Sequence, residues 1–277
     1  MNTQRIKSIL IRILGERFTA CIQALRFVYL LKHSKNPEPE IQLLPRLLNK
    51  GDTAVDVGAN GASWTYYLHQ NVGITGYVFA FEADPYYALA TEMAIKFMRL
   101  KRVSLFHFGL SDKDEEVPLR VIDSNGLRVS GLGHVDKNAD KNEQGVEIVQ
   151  LKRLDSLIQE HSRILNTKLI KCDVEGYELF VLKGANQLLT KSRPFVILEV
   201  GHFGKQGYSA RDVYNFFEER GYSAFAMVTN NELSPTDVML EHEKALSDNR
   251  IMIPKEKIAI VGNLIQSPSN NSLERTW

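Results

Sequence analysis

The chain has 277 residues, of which 44% are apolar and 24% charged, with 34 basic against 33 acidic side chains. That length supports one large core or two small ones, and the composition excludes a mainly disordered or collagen-like chain. A net charge of +1 disfavours a general nucleic-acid binder, and two cysteines, Cys21 and Cys172, are too few for a disulfide framework or a zinc cluster, so a reducing, cytoplasmic setting is expected.

The charge is uneven along the chain. Residues 1–50 hold nine basic side chains (Arg5, Lys7, Arg12, Arg17, Arg26, Lys32, Lys35, Arg46, Lys50) and three acids (Glu16, Glu38, Glu40), so nine minus three gives +6. Ile6, Ile9, Leu10, Ile13 and Leu14, then Ile22, Leu25, Val28 and Tyr29, recur at helical spacing. Arg12, Glu16, Arg17 and Arg26 interrupt Ile6–Leu31, which is therefore no span of ~20 apolar residues. The run Phe18–Leu25 has no signal-peptide cleavage site after it. Residues 1–40 are expected as a basic amphipathic helical segment, whose charge and apolar stripe suit a peripheral contact with an anionic membrane face and equally a packed position. The alternative is a helix packed on the core, or on another subunit of a homo-oligomer. Asn36-Pro37-Glu38-Pro39 ends it, because each proline disfavours helix in the residue before it.

Residues 41–265 are expected as the main domain. A short helix at Glu40–Leu48 precedes a strand at Thr53–Val57, a helix at Ser63–Gln70 and a strand at Tyr77–Phe81. A helix at Pro85–Leu100 and a strand at Val103–Leu110 follow. Residues 111–150 are polar, with alternating runs Val117–Ile122 and Val146–Leu151 and a glycine-rich tip (Gly126, Gly131, Gly133); they predict a hairpin-like insertion. Asp155–His161 predicts a helix capped by Asp155. Strand Lys168–Cys172, helix Tyr177–Leu189, strand Phe195–Val200 and helix Ala210–Arg220 come next. Tyr222–Val228 and one of Arg250–Ile253 or Lys257–Val261 close the pattern, and residues 266–277 form a polar tail. Apolar strands alternating with helices imply a mostly parallel sheet covered on both faces. In such sheets ligands bind beyond the carboxyl ends of the strands.

The first strand runs into Val55-Asp56-Val57-Gly58-Ala59-Asn60-Gly61-Ala62-Ser63. Gly58 and Gly61 permit a tight turn, and the amides opening the next helix can hold a carboxylate or phosphate. An ordinary strand-to-helix turn would read the same. Glu82 ends the second strand, where an acid suits a ribose diol; Asp84, before Pro85, suits a helix cap. A dinucleotide fingerprint needs G-x-G-x-x-G, and Asn60 and Ser63 stand where its second and third glycines would. Asp56 would repel a pyrophosphate but suits a ligand bearing an ammonium and a sulfonium. The expected cofactor is therefore S-adenosyl-L-methionine rather than NAD. Ser111 and Asp112, after the third strand, are placed for the adenine edge. Asp173, Glu175, Glu199 and His202 follow the fourth and fifth strands and should share the cleft, where crowding displaces pKa values. Crowding by Glu175 and Glu199 is expected to raise Asp173 toward neutrality. Glu178 is expected as an exposed helix residue.

These segments, in this order, resemble the FkbM family of S-adenosylmethionine-dependent methyltransferases. The carriers are Val55–Asn60, Phe79–Glu82, Gly109–Asp112, Leu154–Leu157, Ile170–Glu178 with Leu182-Lys183-Gly184-Ala185, and Leu198-Glu199. The resemblance implies the class I methyltransferase fold: a Rossmann-like α/β three-layer sandwich whose seven-stranded, mostly parallel sheet has its last strand antiparallel, here with an N-terminal helical extension. It also implies O-methylation of a hydroxyl on a saccharide, a lipid-linked glycan or another secondary metabolite. Two departures stand out. Ala62 occupies a place the family usually gives to glycine, with a methyl expected near the cofactor, and Ala83 follows the acid where proline is usual. Asp173 or His202 is the expected general base, with Glu175 and Glu199 orienting the acceptor. Asp56, Gly58, Asn60, Gly61, Ser63, Glu82, Ser111, Asp112 and Asp173 are the expected cofactor contacts. No metal is assigned, although the same carboxylates suit Mg²⁺. The competing function is a catalytically degenerate member that keeps the fold and binds a partner.

Overall fold

The computed structural model describes residues 15–33, 38–122, 128, 131, 133–201, 206–230, 232–236 and 245–265. Among these residues twelve strands run in chain order: β1 (Thr53–Val57), β2 (Tyr77–Phe81), β3 (Val103–Phe106), β4 (Gly109–Leu110), β5 (Glu115–Arg120), β6 (His134–Val135), β7 (Val146–Lys152), β8 (Thr167–Cys172), β9 (Phe195–Glu199), β10 (Tyr222–Thr229), β11 (Glu232–Thr236) and β12 (Asn249–Pro254). The α-helices are α1 (Glu16–His33), α2 (Leu44–Leu47), α3 (Ser63–Val72), α4 (Pro85–Phe97), α5 (Glu178–Gly184), α6 (Asn186–Lys191) and α7 (Ala210–Glu218).

Among the described residues the main sheet has eight strands in the order β11-β10-β12-β9-β8-β1-β2-β3. β3, β2, β1, β8 and β9 are parallel neighbours. β12 lies antiparallel between β9 and β10. This is the class I methyltransferase order, with β12 as the reversed last strand. An eighth strand, β11, is added antiparallel on the β10 edge. Of the two candidates for the closing strand, Arg250–Ile253 lies within β12, and Lys257–Val261 lies within a 3₁₀ helix, Lys255–Leu264.

The strand period of two divides the core between the faces. Val55, Val57, Phe79, Phe81, Ile170, Cys172, Val196 and Leu198 pack with α5, α6 and α7. Ala54, Val78, Leu169 and Ile197 pack with α2 and α3 on the other side. α1 lies outside this sandwich and rests on α4 through Ala20, Ala24, Tyr86, Tyr87, Ala90 and Ala94.

Three expectations change. The run Val103–Leu110 splits: β3 stays in the main sheet, while β4 starts a second sheet of order β4-β7-β5-β6. The helix expected over Tyr177–Leu189 breaks at Ala185. Asp155 does not cap its own turn, which is the 3₁₀ helix Leu154–Ile158. Its carboxylate accepts instead from the Gln187 and Leu188 amides at 2.7 and 3.1 Å, so it caps α6 from outside.

Gly184 shows why the Leu182-Lys183-Gly184-Ala185 segment carries a glycine. A Cβ there would run into the Ser111 carbonyl. Helix α5 thus lies directly on the loop that follows β4. Gly184→Ala is expected to cost about 1–3 kcal/mol, as overpacking does, read as a lower urea midpoint. An unshifted midpoint would mean the loop yields freely.

Candidate functional site

A cavity of about 260 Å³ opens beyond the carboxyl ends of β1, β2 and β8 and is roofed by the second sheet. The first wall is the turn after β1. Gly58 has φ +85°, and a Cβ on it would collide with the Asp173 carbonyl. The Asp173 amide donates to the Val57 carbonyl at 3.0 Å. The Asn60 amide donates to Glu82 Oε2 at 2.9 Å, and the Gly61 amide donates to Thr91 Oγ1 at 2.9 Å.

Glu82 closes the second wall. It is buried, and its Oε1 accepts the Asp84 amide at 2.9 Å. Burial raises its pKa to about 7, against the pull of the Asp84 and Asn60 amides. Two bonded amides still leave acceptor lone pairs on the carboxylate for a diol. Asp84 caps α4 through the Tyr86 and Tyr87 amides, as its place before Pro85 suggested. Arg128 also donates to it at 2.9 Å. The second sheet supplies an apolar wall of Leu110, Leu119, Val135 and Leu151.

The third wall is acidic. Asp173 and Glu175 line the cavity, and Glu199, next to them but outside that lining, brings a carboxylate oxygen within 4.8 Å of theirs, a set of hard ligands that could also hold a divalent cation. Burial, then the charges of Asp173 and Glu175, push Glu199 up to about 8. Beside Asp173 lies Lys171, fully buried on β8, with Nζ 3.4 Å from Asp173 Oδ2. Lys171 also donates to Asn249 Oδ1 at 2.7 Å and sits 5.2 Å over the Trp64 ring. Asn249 Nδ2 and Trp64 Nε1 both donate to Glu38, each at 2.8 Å.

The expected cofactor contacts divide. Gly58, Asn60, Ser63, Glu82 and Asp173 line the cavity. Asp56, Gly61, Ser111 and Asp112 do not. Asp56 shares strand parity with Ala54 and so turns toward α3, where its Oδ2 accepts from Thr65 Oγ1. Burial raises Asp56 to about 6. Gly61 faces outward, beneath the Phe27 ring of α1. Ser111 and Asp112 lie under α5, and Gly109 and Leu110 take their place at the cavity. Ala62 is left-handed at φ +64°, a conformation that glycine adopts without strain. Its methyl packs with Ala24 and Ala94, so this departure bears on α1 packing and not on the cofactor. His202 lies outside the described residues.

Glu178 is a correction. It is buried, not exposed. Its Oε1 accepts from the Val174 and Gly176 amides at 3.0 and 3.3 Å, and its Oε2 is 3.3 Å from the Tyr208 hydroxyl. It therefore ties down the loop that carries Glu175, which stands at φ +54°. Lys171 had one local signal, a charge inside an apolar strand. Asn249 and Glu38 had none.

The donor set fits S-adenosylmethionine. Glu82 would accept from a ribose diol, the apolar wall would flank a purine, and Asn60 and Ser63 lie along the turn. A model of the methyltransferase FkbM domain matches residues 56–224. Among solved structures, the chain is similar to the FkbM methyltransferase of Methylobacillus flagellatus KT. The two share 13% identity at a TM-score of 0.49, over 88% of this chain and 60% of that one. The chain thus spans 60% of that protein's length. A SAM-dependent methyltransferase from Aquifex aeolicus shares 15% identity over 72% of this chain and 91% of that one, at a TM-score of 0.40. A SAM-dependent O-methyltransferase from Thermotoga maritima shares 12% over 82% and 69%, at 0.44. No curated protein matches.

Two outcomes test Glu82. Glu82→Ala is expected to weaken S-adenosylhomocysteine binding by about 1.5–3 kcal/mol, the range for a hydrogen bond to a charged group. In the unaltered protein, affinity should fall as pH drops through about 7, because protonation turns one acceptor oxygen into a donor. The fall should reach up to ~tenfold per pH unit below that value and flatten in the variant. Calorimetry reads both; unchanged affinity in a folded variant places the ribose elsewhere.

Proposed function

The chain belongs to the FkbM family of S-adenosylmethionine-dependent methyltransferases, and we propose that it methylates a hydroxyl oxygen on a saccharide, a lipid-linked glycan or a hydroxyl-bearing secondary metabolite. The observation that carries this reading is Glu199, half-buried against Asp173 and Glu175 with its pKa raised to about 8. When bound, S-adenosylmethionine supplies an electrophilic methyl carbon. A hydroxyl acceptor must lose its proton as its oxygen attacks. An ordinary carboxylate near pKa 4 is a weak base for that proton. Glu199 in its ionised form is a far stronger one, and it still deprotonates near neutral pH. The general base of this reading is therefore Glu199, with Asp173 beside it as an orienting acceptor.

The site's other groups suit the same acceptor. Carboxylates accept hydrogen bonds and donate none when ionised, so a cluster of them favours a ligand with several hydroxyl donors. It disfavours a phosphate or carboxylate at the reacting end. The cation buried beside these acids, Lys171, is held by Asn249 and faces Asp173, so it fixes one carboxylate rather than recruiting an anion. Thiol chemistry gains nothing from Cys172, which is fully buried with its pKa pushed well up by desolvation.

Turnover with a panel of saccharides, read as S-adenosylhomocysteine release, tests the proposal. Glu199→Gln is expected to lower kcat by about 10²–10⁴-fold, the usual weight of general acid–base catalysis, while S-adenosylhomocysteine affinity stays within a few-fold. In the unaltered protein kcat should rise with pH and level off above about 8. Asp173→Asn is the rival variant; if it alone loses turnover, the base is Asp173. If S-adenosylhomocysteine fails to bind at all, the chain is a degenerate member of the family.

A further inference from the structure

Helix α1 has a packed face and, opposite it, an exposed apolar one. Its inner face, with Thr19, Ala20, Gln23 and Ala24 buried, packs on α4. Its outer face carries Phe18, Ile22, Leu25 and Tyr29, which are 53%, 45%, 53% and 61% exposed. These positions follow one another at i, i+4, i+7 and i+11 and form one line along the helix. Single exposed apolar side chains are ordinary, but a continuous stripe of large ones marks a contact surface.

The charges around the stripe identify its partner. At 100° per residue, Arg26 lies about 80° to one side of Phe18 and Arg17 about 100° to the other. Lys32 stands at the C-terminal end, and Glu16, in the first turn, is the only acid on the helix. Beyond the C-terminal end of α4 lies an open cleft of about 520 Å³, lined by Lys96, Arg99, Lys101 and His107. Ile95 and Leu100 of that cleft pack in one cluster with Ala24 and Val28 of α1, so the basic cleft adjoins the helix. The cleft's one acid, Glu92, is paired with Lys96 at 2.6 Å. Residues 1–14 add Arg5, Lys7 and Arg12 and no acid. A second copy paired through α1 would set these cations against one another with almost no acid to meet them. An anionic lipid surface accommodates both features: acyl chains take the stripe, and headgroups take the flanking cations.

We propose that the outer face of α1, together with the adjoining basic cleft, docks this protein on a membrane surface rich in anionic phospholipid, with the helix lying in the interfacial plane. Phe27, on the inner face of the same helix, covers Gly61, so docking leaves only the thickness of α1, about 10 Å, between the lipid and the turn after β1.

Co-sedimentation of the full chain with vesicles tests this. Vesicles of phosphatidylcholine mixed with phosphatidylglycerol should bind at low salt, vesicles of phosphatidylcholine alone should not, and high salt should release the protein. Arg17→Glu with Arg26→Glu should weaken binding by tenfold or more, since each interfacial cation contributes roughly fivefold. Phe18→Ser with Leu25→Ser should also abolish binding while thermal melting and S-adenosylhomocysteine affinity stay unchanged; if that variant no longer melts cooperatively, the arginine variant carries the test. No binding to the anionic vesicles at low salt overturns the proposal and leaves residues 1–14 or another partner as the cover. Equal binding to both vesicle types overturns the electrostatic assignment. A concentration-dependent dimer in sedimentation velocity that the serine variant dissociates assigns the stripe to a second copy instead.

Discussion

The carboxyl ends of β1 and β8 meet with no side chain between them, and the rest of the site follows from that contact. Gly58 leaves room for the Asp173 carbonyl, and the Asp173 amide bonds back to Val57. The turn that would cradle the cofactor and the loop that carries the acids are therefore two faces of one backbone junction. A Cβ at position 58 would wedge the strands apart. Adjacent parallel strands in this fold deliver their loops to one edge, but only the glycine brings them to contact distance.

Burial, more than charge, sets the electrostatics of the cleft. Desolvation is the largest cause of the raised pKa at Asp56, Glu82 and Glu199 alike. Neighbouring carboxylates come second at Glu199 and last at Glu82. Partners then distinguish the three. Thr65 bonds one oxygen of Asp56 and leaves Oδ1 buried without a partner. Two amides hold Glu82. Glu199 faces other acids, which leaves it the highest of the three. Lys171 is the counterweight: one ammonium, out of water, held between Asp173, Asn249 and the Trp64 ring. Buried charges persist only when paired and hydrogen-bonded in this way.

Supports from outside the strand ends hold the site in shape. Glu178 reaches back from α5 to fasten the loop of Glu175, and Tyr208 joins it by donating to the Gly176 carbonyl at 2.9 Å. The Phe27 ring of α1 seals the far side of the turn at Gly61. The same helix thus has a structural face toward the turn and an uncovered face toward solvent, which links the cofactor turn mechanically to whatever α1 touches.

The sequence by itself determined the parallel sheet, the loop positions and the family, because apolar runs, glycine turns and strand-end acids are local patterns with local causes. Gly58, Glu82, Asp173, Glu175 and Glu199 were all legible as strand-end residues. Tertiary structure decided what a strand-end position cannot. Strand parity sent Asp56 to α3 and kept it from the cavity. A helix lying on the loop after β4 removed Ser111 and Asp112 from it. Glu178 read as an exposed helix residue because nothing local shows that the preceding loop folds back over it. Lys171 on β8, Asn249 on β12 and Glu38, just before the 3₁₀ helix Pro39–Leu43, are distant in sequence, and they meet only once β12 inserts beside β9, one strand away from β8. The raised pKa of Glu199 was not legible in the sequence because such a shift depends on burial and on which carboxylates come to face it, and both are properties of the assembled sheet.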